Sequence, residues 1–237
     1  MIALKAVVFD MDGTLYRQSP LRRAMLVRLL RAHVADPARG LQTARVLIAY
    51  RQAQEHLRAS ASHVGHDVKR EVAEAQIQLA CERTKVERHV VVEAVSRWME
   101  HEPLGHLARC VQPGLLTFLH ACKSRGLRLG VLSDYPAEAK LEALGLGGLF
   151  DVVLCAQAPE IGAFKPHPRG LLLSLDRLGV AATDSLYVGD RAEVDGATAE
   201  AAGVRCAILM RRRASSQPRS WMHAYGYSHL HELLWGS

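Results

Sequence analysis

Short apolar runs recur along the chain and set its organisation. One run covers residues 5–10, and four more follow at residues 128–134, 151–155, 185–190 and 205–210. Runs of this length that are apolar almost throughout are typical of parallel strands buried on both faces of a sheet. The pattern therefore predicts five strands of one parallel sheet.

Amphipathic segments alternate with these runs in the second half of the chain. They cover residues 113–124, 137–144, 168–178 and 195–202, and glycines follow them at positions 126, 145, 179 and 203. A glycine just past the last turn is typical of a helix C-terminus. Strands that alternate with helices predict an α/β fold with a doubly wound, Rossmann-like parallel sheet. Ligands of such sheets bind at the carboxyl ends of the strands.

The pattern changes between residues 18 and 109, where no strand signal is present. Ser19 followed by Pro20 is typical of a helix start, and helical periodicity continues at residues 41–59, 68–81 and 86–99. We therefore expect an inserted helical domain over residues 18–109. Residues 1–17 and 110–237 then form the Rossmann-like core.

Composition narrows the class of protein. The chain of 237 residues is 49% hydrophobic and 23% charged, both ordinary for a soluble globular protein. It has no apolar run near the roughly 20 residues that span a bilayer and no signal-peptide pattern at residues 1–10, so we expect no membrane partner. Its five scattered cysteines form no CxxC motif, which favours reduced thiols and a cytoplasmic location.

The net charge of +6 suits anionic substrates in general. The excess is diffuse, and its one dense cluster is the arginine run at residues 211–213. No aromatic stacking pattern accompanies that cluster, so the favoured interpretation is a solvated loop rather than a nucleic-acid site.

The first predicted strand leads into the strongest chemical signal. Asp10 and Asp12 are two residues apart at its end, and Gly13 follows, which lets the backbone bend sharply. One carboxylate of such a pair can act as nucleophile and the other as general acid and base. The competing interpretation is a turn that happens to use two aspartates.

Four motifs in order give the chain a resemblance to a known family. The segment DMDGTL at residues 10–15 resembles the first motif of the haloacid dehalogenase superfamily. Ser133 at the second strand end, Lys165 in GAFKP (162–166) and the acidic GDRAEVD (189–195) are similar to its later motifs. The chain is identified as a member of the phosphatase branch, similar to phosphoglycolate phosphatases, with the insert in the position of a C1-type helical cap.

The resemblance implies a role for each matched residue. Mg²⁺ is expected on the Asp10 side chain, the Asp12 carbonyl oxygen and the Asp190 carboxylate. Asp195 is then either a supporting group behind the metal or a helix N-terminal acid. The expected phosphate ligands are Lys165, the Ser133 hydroxyl and Asp134, whose backbone amide follows Ser133.

Asp12 separates two chemistries within the family. The dehalogenases lack an acid two residues after the nucleophile, so its presence here favours phosphoryl over halide chemistry. We expect Asp10 to attack phosphorus and form an aspartyl-phosphate, while Asp12 protonates the leaving alcohol and later deprotonates water.

Two positions depart from the family pattern, and neither removes a catalytic group. Asp134 stands where asparagine is common, so a second carboxylate lies beside the phosphate site. Arg191 stands where serine or threonine is common, and either reaches a nearby acid or lies on the surface.

Residues in and beside the insert have weaker predictions. Tyr16, Arg17 and Gln18 lie at the hinge and are candidates to line the entrance. Arg22 and Arg23 are interpreted as a solvated helix face, and the alternative is contact with a second anionic group of the substrate. His63 and His66 have HxxH spacing without an accompanying acid or cysteine pair, so no metal site is expected there.

The sequence therefore predicts a Mg²⁺-dependent phosphatase acting on a small-molecule phosphate monoester. Two alternatives stay open: a phosphomutase with the same aspartates, and a non-catalytic binding or accessory protein on the same fold. The physiological substrate and the oligomeric state are not determined by these patterns.

Overall fold

The computed structural model describes residues 4–61, 72–210 and 221–236. The arginine run at 211–213 and the pair His63 and His66 lie outside these ranges. Within them, six parallel strands form one sheet in the order β3-β2-β1-β4-β5-β6. The strands are β1 Ala6–Phe9, β2 Arg128–Ser133, β3 Val152–Cys155, β4 Ser185–Gly189, β5 Arg205–Leu209 and β6 Met222–Ala224.

The predicted doubly wound α/β sheet is confirmed, and its five predicted strands are all present. The sixth strand was missed. It is only three residues long and pairs with β5 at the sheet edge, where Ile208 lies opposite His223. A run this short carries no periodicity of its own, so only its pairing defines it.

Successive residues of each strand point to opposite faces of the sheet and enter two separate cores. Val7 and Phe9 pack on one face, and Ala6 and Val8 on the other. The first face is covered by α6 Leu115–Ser124, α7 Glu138–Ala143 and α10 Tyr227–Trp235, and the second by α8 Arg169–Leu178 and α9 Ala197–Ala201. The sheet is therefore buried on both sides, as its apolar strands require.

The segment between β1 and β2 is helical, as predicted, and none of its described residues forms a strand. Its helices are α1 Gln18–Ala32, α2 Pro37–Ala61, α3 Val72–Thr84, α4 Arg88–Val95 and α5 Leu104–Leu107, with a π-helical turn at Ser96–His101 and a 3-10 turn at Ala108–Cys110. Val46, Tyr50 and Val91 belong to a small core that these helices share. We refer to this segment as the insert. Its assignment as a separate domain with boundaries at residues 18 and 109 stays a prediction.

The two chain segments that join the insert to the core run side by side. The Arg17 amide donates to the Cys110 carbonyl at 2.7 Å, and the Gln112 amide donates to the Leu15 carbonyl at 3.0 Å. The insert therefore leaves and rejoins the core at one point, directly beside the end of β1.

No helix in the described part of the chain is long and apolar enough to cross a membrane. All five cysteines are free thiols, in agreement with the absence of a disulfide pattern.

Candidate active site

The end of β1 turns sharply to present its two aspartates. The Asp10 amide still donates to the Val188 carbonyl of β4 at 2.8 Å, and the Leu15 amide closes the following turn on the Met11 carbonyl at 3.0 Å. Between them Gly13 has a φ of +110°. The sheet therefore holds Asp10 rigidly, and glycine makes the turn beyond it possible.

Asp10 is buried in a network of charged groups. Its carboxylate accepts hydrogen bonds from Lys165 Nζ and from the Thr14 hydroxyl, the latter at 2.9 Å. Lys165 Nζ also contacts Asp195 Oδ1 at 2.9 Å and the Tyr187 hydroxyl at 3.2 Å. Lys165 is 97% buried, so its ammonium is fixed between two carboxylates rather than solvated.

Asp195 links Lys165 to the loop that follows β4. Its Oδ2 accepts the backbone amides of Asp190 at 3.1 Å and Arg191 at 3.0 Å. Gly189 is required beside it, because a Cβ there would lie 2.3 Å from the Asp195 Cβ. Asp195 thus both holds the loop that carries Asp190 and contacts the buried lysine.

Asp10, Asp190 and Asp195 bring carboxylate oxygens within 4.8 Å of one another. Burial, with repulsion from Asp195 and Asp190, raises the pKa of Asp10 well above its ordinary value, although Lys165 opposes the shift. Burial and Asp195 likewise raise the pKa of Asp190 to about 6. Lys165 alone does not compensate three neighbouring carboxylates.

This site fits a hard divalent cation. Asp190 Oδ1 is buried and has no hydrogen-bond partner within the described residues, so one oxygen of the cluster has no protein group to satisfy it. Clustered carboxylates are the donors that Mg²⁺ prefers. The Asp12 carbonyl, the third predicted ligand, accepts a hydrogen bond from Gln18 Nε2. A carbonyl oxygen has two lone pairs, so this hydrogen bond does not prevent the same atom from binding a metal. Metal coordination by the Asp12 carbonyl stays a prediction.

The Asp12 carboxylate lies apart from this cluster. It accepts hydrogen bonds from the Tyr16 hydroxyl and from Lys140 Nζ, the latter at 3.1 Å. Burial favours the neutral carboxyl, but Lys140 and Tyr16 outweigh this effect and lower the pKa of Asp12. The two aspartates of the motif therefore occupy opposite electrostatic environments, with the pKa of Asp10 raised and that of Asp12 lowered.

The carboxylate of Asp134 is neutralised by the insert. Its Oδ2 accepts hydrogen bonds from Arg58 and, at 3.2 Å, from Gln54, both on α2. Its Oδ1 accepts the Lys165 amide at 3.3 Å. The extra carboxylate at position 134 is thus paired with an arginine 76 residues earlier in the sequence.

Ser133 ends β2 and is buried, and its Oγ accepts the Tyr135 amide at 3.2 Å. The cavity wall at this strand end consists of Asp134 and Tyr135. Phosphate binding by Ser133 and by Asp134 stays a prediction.

A cavity of about 400 Å³ lies above the strand ends and is closed on its other side by α1 and α2. Asp10, Asp12, Lys165 and Asp190 all line it. Its basic side chains are Arg22, Arg51, Arg58, Lys165 and Arg191. Six acids line it as well, and Arg58 and Lys165 already pair with four of them. The lining is therefore of mixed charge, and a divalent cation on the acidic cluster would favour an anionic ligand of small-molecule size.

Sequence reasoning placed several of these side chains correctly and missed others. Tyr16 and Gln18 line the cavity, as predicted, whereas Arg17 does not. Arg191 reaches Glu193 and Glu55 at 3.0 and 3.3 Å. Arg22 lines the cavity and is also solvent-exposed, in agreement with the interpretation as a solvated face. Lys140, Arg58 and Gln54 were missed, because helical periodicity does not indicate which polar residue faces a site.

Substituting Gly13 tests how tightly the turn and the acidic cluster are built. A Cβ at this position would lie 2.1 Å from Asp190 Oδ2, and the φ of +110° disfavours any L side chain. We expect Gly13→Ala to lower the free energy of unfolding by about 2–4 kcal/mol and to displace Asp190. Thermal denaturation measures the first effect. Gly126→Ala is the control, since it shares a positive φ but meets no atom within 4 Å, and an equal loss there would contradict the steric explanation.

The comparisons agree with the fold and the motifs. A family model described as haloacid dehalogenase-like hydrolase matches residues 4–203. A phosphoglycolate phosphatase of Rhodospirillum rubrum is 33% identical over 211 residues, 86% of this chain and 79% of that protein. A phosphatase structure from Thermococcus onnurineus covers 99% of both chains at 21% identity and a TM-score of 0.62.

A 2-haloacid dehalogenase structure from Pseudomonas syringae has a TM-score of 0.66 at 22% identity and covers 98% of both chains. Because both reactions occur on this fold, structural likeness alone does not choose between them. The match over most of the chain, with the four motifs assembled at one sheet edge, nevertheless settles the family. The chain belongs to the haloacid dehalogenase-like hydrolases.

Proposed function

We propose that this hydrolase is a Mg²⁺-dependent phosphatase that cleaves a small-molecule phosphate monoester through an aspartyl-phosphate on Asp10. The observation that carries the proposal is the buried contact between Asp10 and Lys165 at the floor of a cavity that the acidic cluster also lines. The relatives named as phosphoglycolate phosphatases support phosphate esters as the substrate class.

Asp10 is the proposed nucleophile. Lys165 holds one of its carboxylate oxygens and Thr14 the other, so the carboxylate cannot rotate freely. Lys165 also supplies positive charge close to where the transferred phosphoryl group must lie. The fixed carboxylate and the nearby charge together favour in-line attack of Asp10 on phosphorus.

Asp12 is the proposed general acid and base. The incoming phosphate brings negative charge beside it, which raises its pKa from the low resting value and favours the protonated form. The proton passes to the leaving alcohol oxygen as the bond to phosphorus breaks. Asp12 then takes a proton from the water that hydrolyses the aspartyl-phosphate, and its contacts with Tyr16 and Lys140 keep it oriented in both steps.

Asp10, Asp190 and the Asp12 carbonyl would hold the Mg²⁺, and Asp195 would support the loop that carries Asp190. A bound divalent cation neutralises phosphate charge and permits an anionic nucleophile to approach. The insert is proposed to be a cap over the cavity, because α1 and α2 supply its roof. A cytoplasmic location also stays a prediction.

A panel of phosphate esters, assayed for phosphate release with Mg²⁺ and with a chelator, tests the proposal. We expect release from at least some esters in the presence of Mg²⁺ and none with the chelator. Absence of release from the whole panel would contradict the catalytic assignment and favour a non-catalytic role. Transfer of phosphate between positions of a sugar, without release to water, would instead identify a phosphomutase.

Metal binding also predicts a change in thermal stability that does not depend on turnover. At a Mg²⁺ concentration about 100 times the Kd, binding stabilises the folded state by about 2.7 kcal/mol. For a chain of this length that corresponds to a rise in Tm of about 5–10 °C. Differential scanning fluorimetry measures it directly.

The matched variants for this measurement are Asp190→Asn and Glu193→Gln. Asp190 belongs to the acidic cluster, whereas Glu193 is an exposed acid three residues away that pairs with Arg191. We expect the Mg²⁺-dependent rise to disappear only in Asp190→Asn. A rise of equal size in both variants would place the metal elsewhere.

A further inference from the structure

A second cavity continues from the catalytic cavity into the insert. It has a volume of about 470 Å³, and we call it the side chamber. Both cavities are lined by Asp12, Tyr16, Arg51 and Tyr135, among other residues, so they meet at the proposed general acid. Asp10 and Lys165 line only the catalytic cavity.

The walls of the side chamber are mainly apolar. Met25 and Leu29 come from α1, Leu47 and Ile48 from α2, and Trp98 from the π-helical turn. Ile48 is 57% exposed, although it is a large aliphatic side chain. Apolar walls with a few polar groups at one end are typical of a site for an organic ligand.

Asp12 determines which part of a substrate can reach this chamber. The phosphate must lie against Asp10, and the leaving oxygen must lie within reach of the Asp12 carboxyl that protonates it. The carbon skeleton of the alcohol then extends away from Asp10, past Asp12. The chamber begins on that side of Asp12.

We infer that the side chamber binds the alcohol portion of the substrate, and that this alcohol has an apolar body larger than glycolate. The inference rests on the proposed phosphatase function. A cavity of roughly 300–1,000 Å³ accommodates drug-sized ligands, so a two-carbon acid would leave most of this chamber to water. Water in the chamber leaves the apolar walls hydrated and adds no binding free energy. An alkyl or aryl group removes the surface of these walls from water, which favours binding.

The positively charged side chains of the chamber support a different expectation, namely a substrate whose alcohol portion is also negatively charged. Arg22, Arg51 and Lys140 line the chamber, and Lys140 already pairs with Asp12. If these cations dominated, the favoured substrate would be a phosphate ester with a carboxylate, as in the relatives named as phosphoglycolate phosphatases. The volume and the composition of the walls favour the apolar alcohol instead.

A series of straight-chain alkyl phosphates tests the inference, because ethyl, butyl and hexyl phosphate have alcohols of nearly equal reactivity. We expect kcat/KM to rise about three- to fourfold for each added methylene as the chain fills the chamber. We also expect hexyl phosphate to exceed phosphoglycolate by at least about tenfold.

Ile48→Asp and Leu41→Asp are the matched variants. Both positions are more than half exposed on α2, at 57% and 65%, so neither change threatens folding, but only Ile48 lines the chamber. We expect Ile48→Asp to reduce the rise per methylene to less than twofold through an increase in KM. Leu41→Asp should retain the wild-type series.

The outcomes separate this inference from the proposed function. Hydrolysis of all esters without dependence on chain length, or a preference for phosphoglycolate, would overturn the apolar alcohol and leave the phosphatase intact. An equal loss of chain-length dependence in both variants would overturn the assignment of the chamber. Absence of hydrolysis of every ester with Mg²⁺ would overturn the proposed function and this inference with it.

Discussion

Asp10→Asn is expected to reduce phosphate release by at least about 10⁴-fold, because an amide cannot form the covalent intermediate and no neighbouring side chain replaces it. The fold should survive the change. The amide has the same shape as the carboxylate, and Lys165 keeps its contact with Asp195. Burial and two neighbouring carboxylates raise the pKa of Asp10, so a neutral group at this position relieves repulsion. We therefore expect a Tm equal to or above the wild-type value.

Steady-state kinetics and thermal denaturation of the same preparation measure both effects. Asp184→Asn is the control, since Asp184 forms a surface ion pair with Lys5 far from the cavity. That variant should retain wild-type turnover. Turnover of Asp10→Asn within tenfold of wild type would show that Asp10 is not the nucleophile.

Lys165→Met is expected to have the largest effect on stability. The substitution keeps an unbranched side chain of nearly the same length but leaves Asp10 and Asp195 without the buried cation that they share. Breaking a buried ion pair in this way typically costs about 3–5 kcal/mol. For a chain of this size we expect Tm to fall by about 10 °C or more in the absence of metal, together with a loss of turnover.

Two further variants distinguish an unbalanced buried charge from a packing defect as the cause of the lower Tm. Adding Asp195→Asn to Lys165→Met removes one uncompensated charge, so the double variant should recover part of the lost Tm. Lys5→Met makes the same substitution in an exposed ion pair and should change Tm by less than about 2 °C. If Lys5→Met and Lys165→Met lost the same stability, the buried charge balance would not be the explanation.

The fold was largely predictable because its signals are local. Each of the five predicted strands is a short apolar run, and a glycine in the left-handed region follows the helix that ends at Leu178 and the one that ends at Ala201. The four motifs were predictable for a related reason. Asp10, Ser133, Lys165 and Asp190 follow strands or lie in loops at one edge, so the order of the strands brings them together.

The remaining parts of the site depend on contacts that no local pattern encodes. Lys140 lies on a short helix 128 residues after Asp12, and its contact with that carboxylate follows from how the helix packs on the sheet. Gln54 and Arg58 lie in the second half of a long helix, Arg58 in its last turn, and most polar residues of this helix are solvated. Helical periodicity separates a buried face from an exposed one, but it does not show which exposed position meets an active site.

The pairing of Arg58 and Gln54 with Asp134 has a consequence for recombination between family members. Inserts of this kind are natural candidates for exchange, because both connecting segments meet at one point beside β1. Here, however, the charge that balances a strand-end residue of the core is supplied by α2. A chimera that receives a foreign insert without an arginine and an amide at these positions would carry an unbalanced carboxylate beside the proposed phosphate site. For this chain, Arg58, Gln54 and Asp134 form one electrostatic unit across the junction.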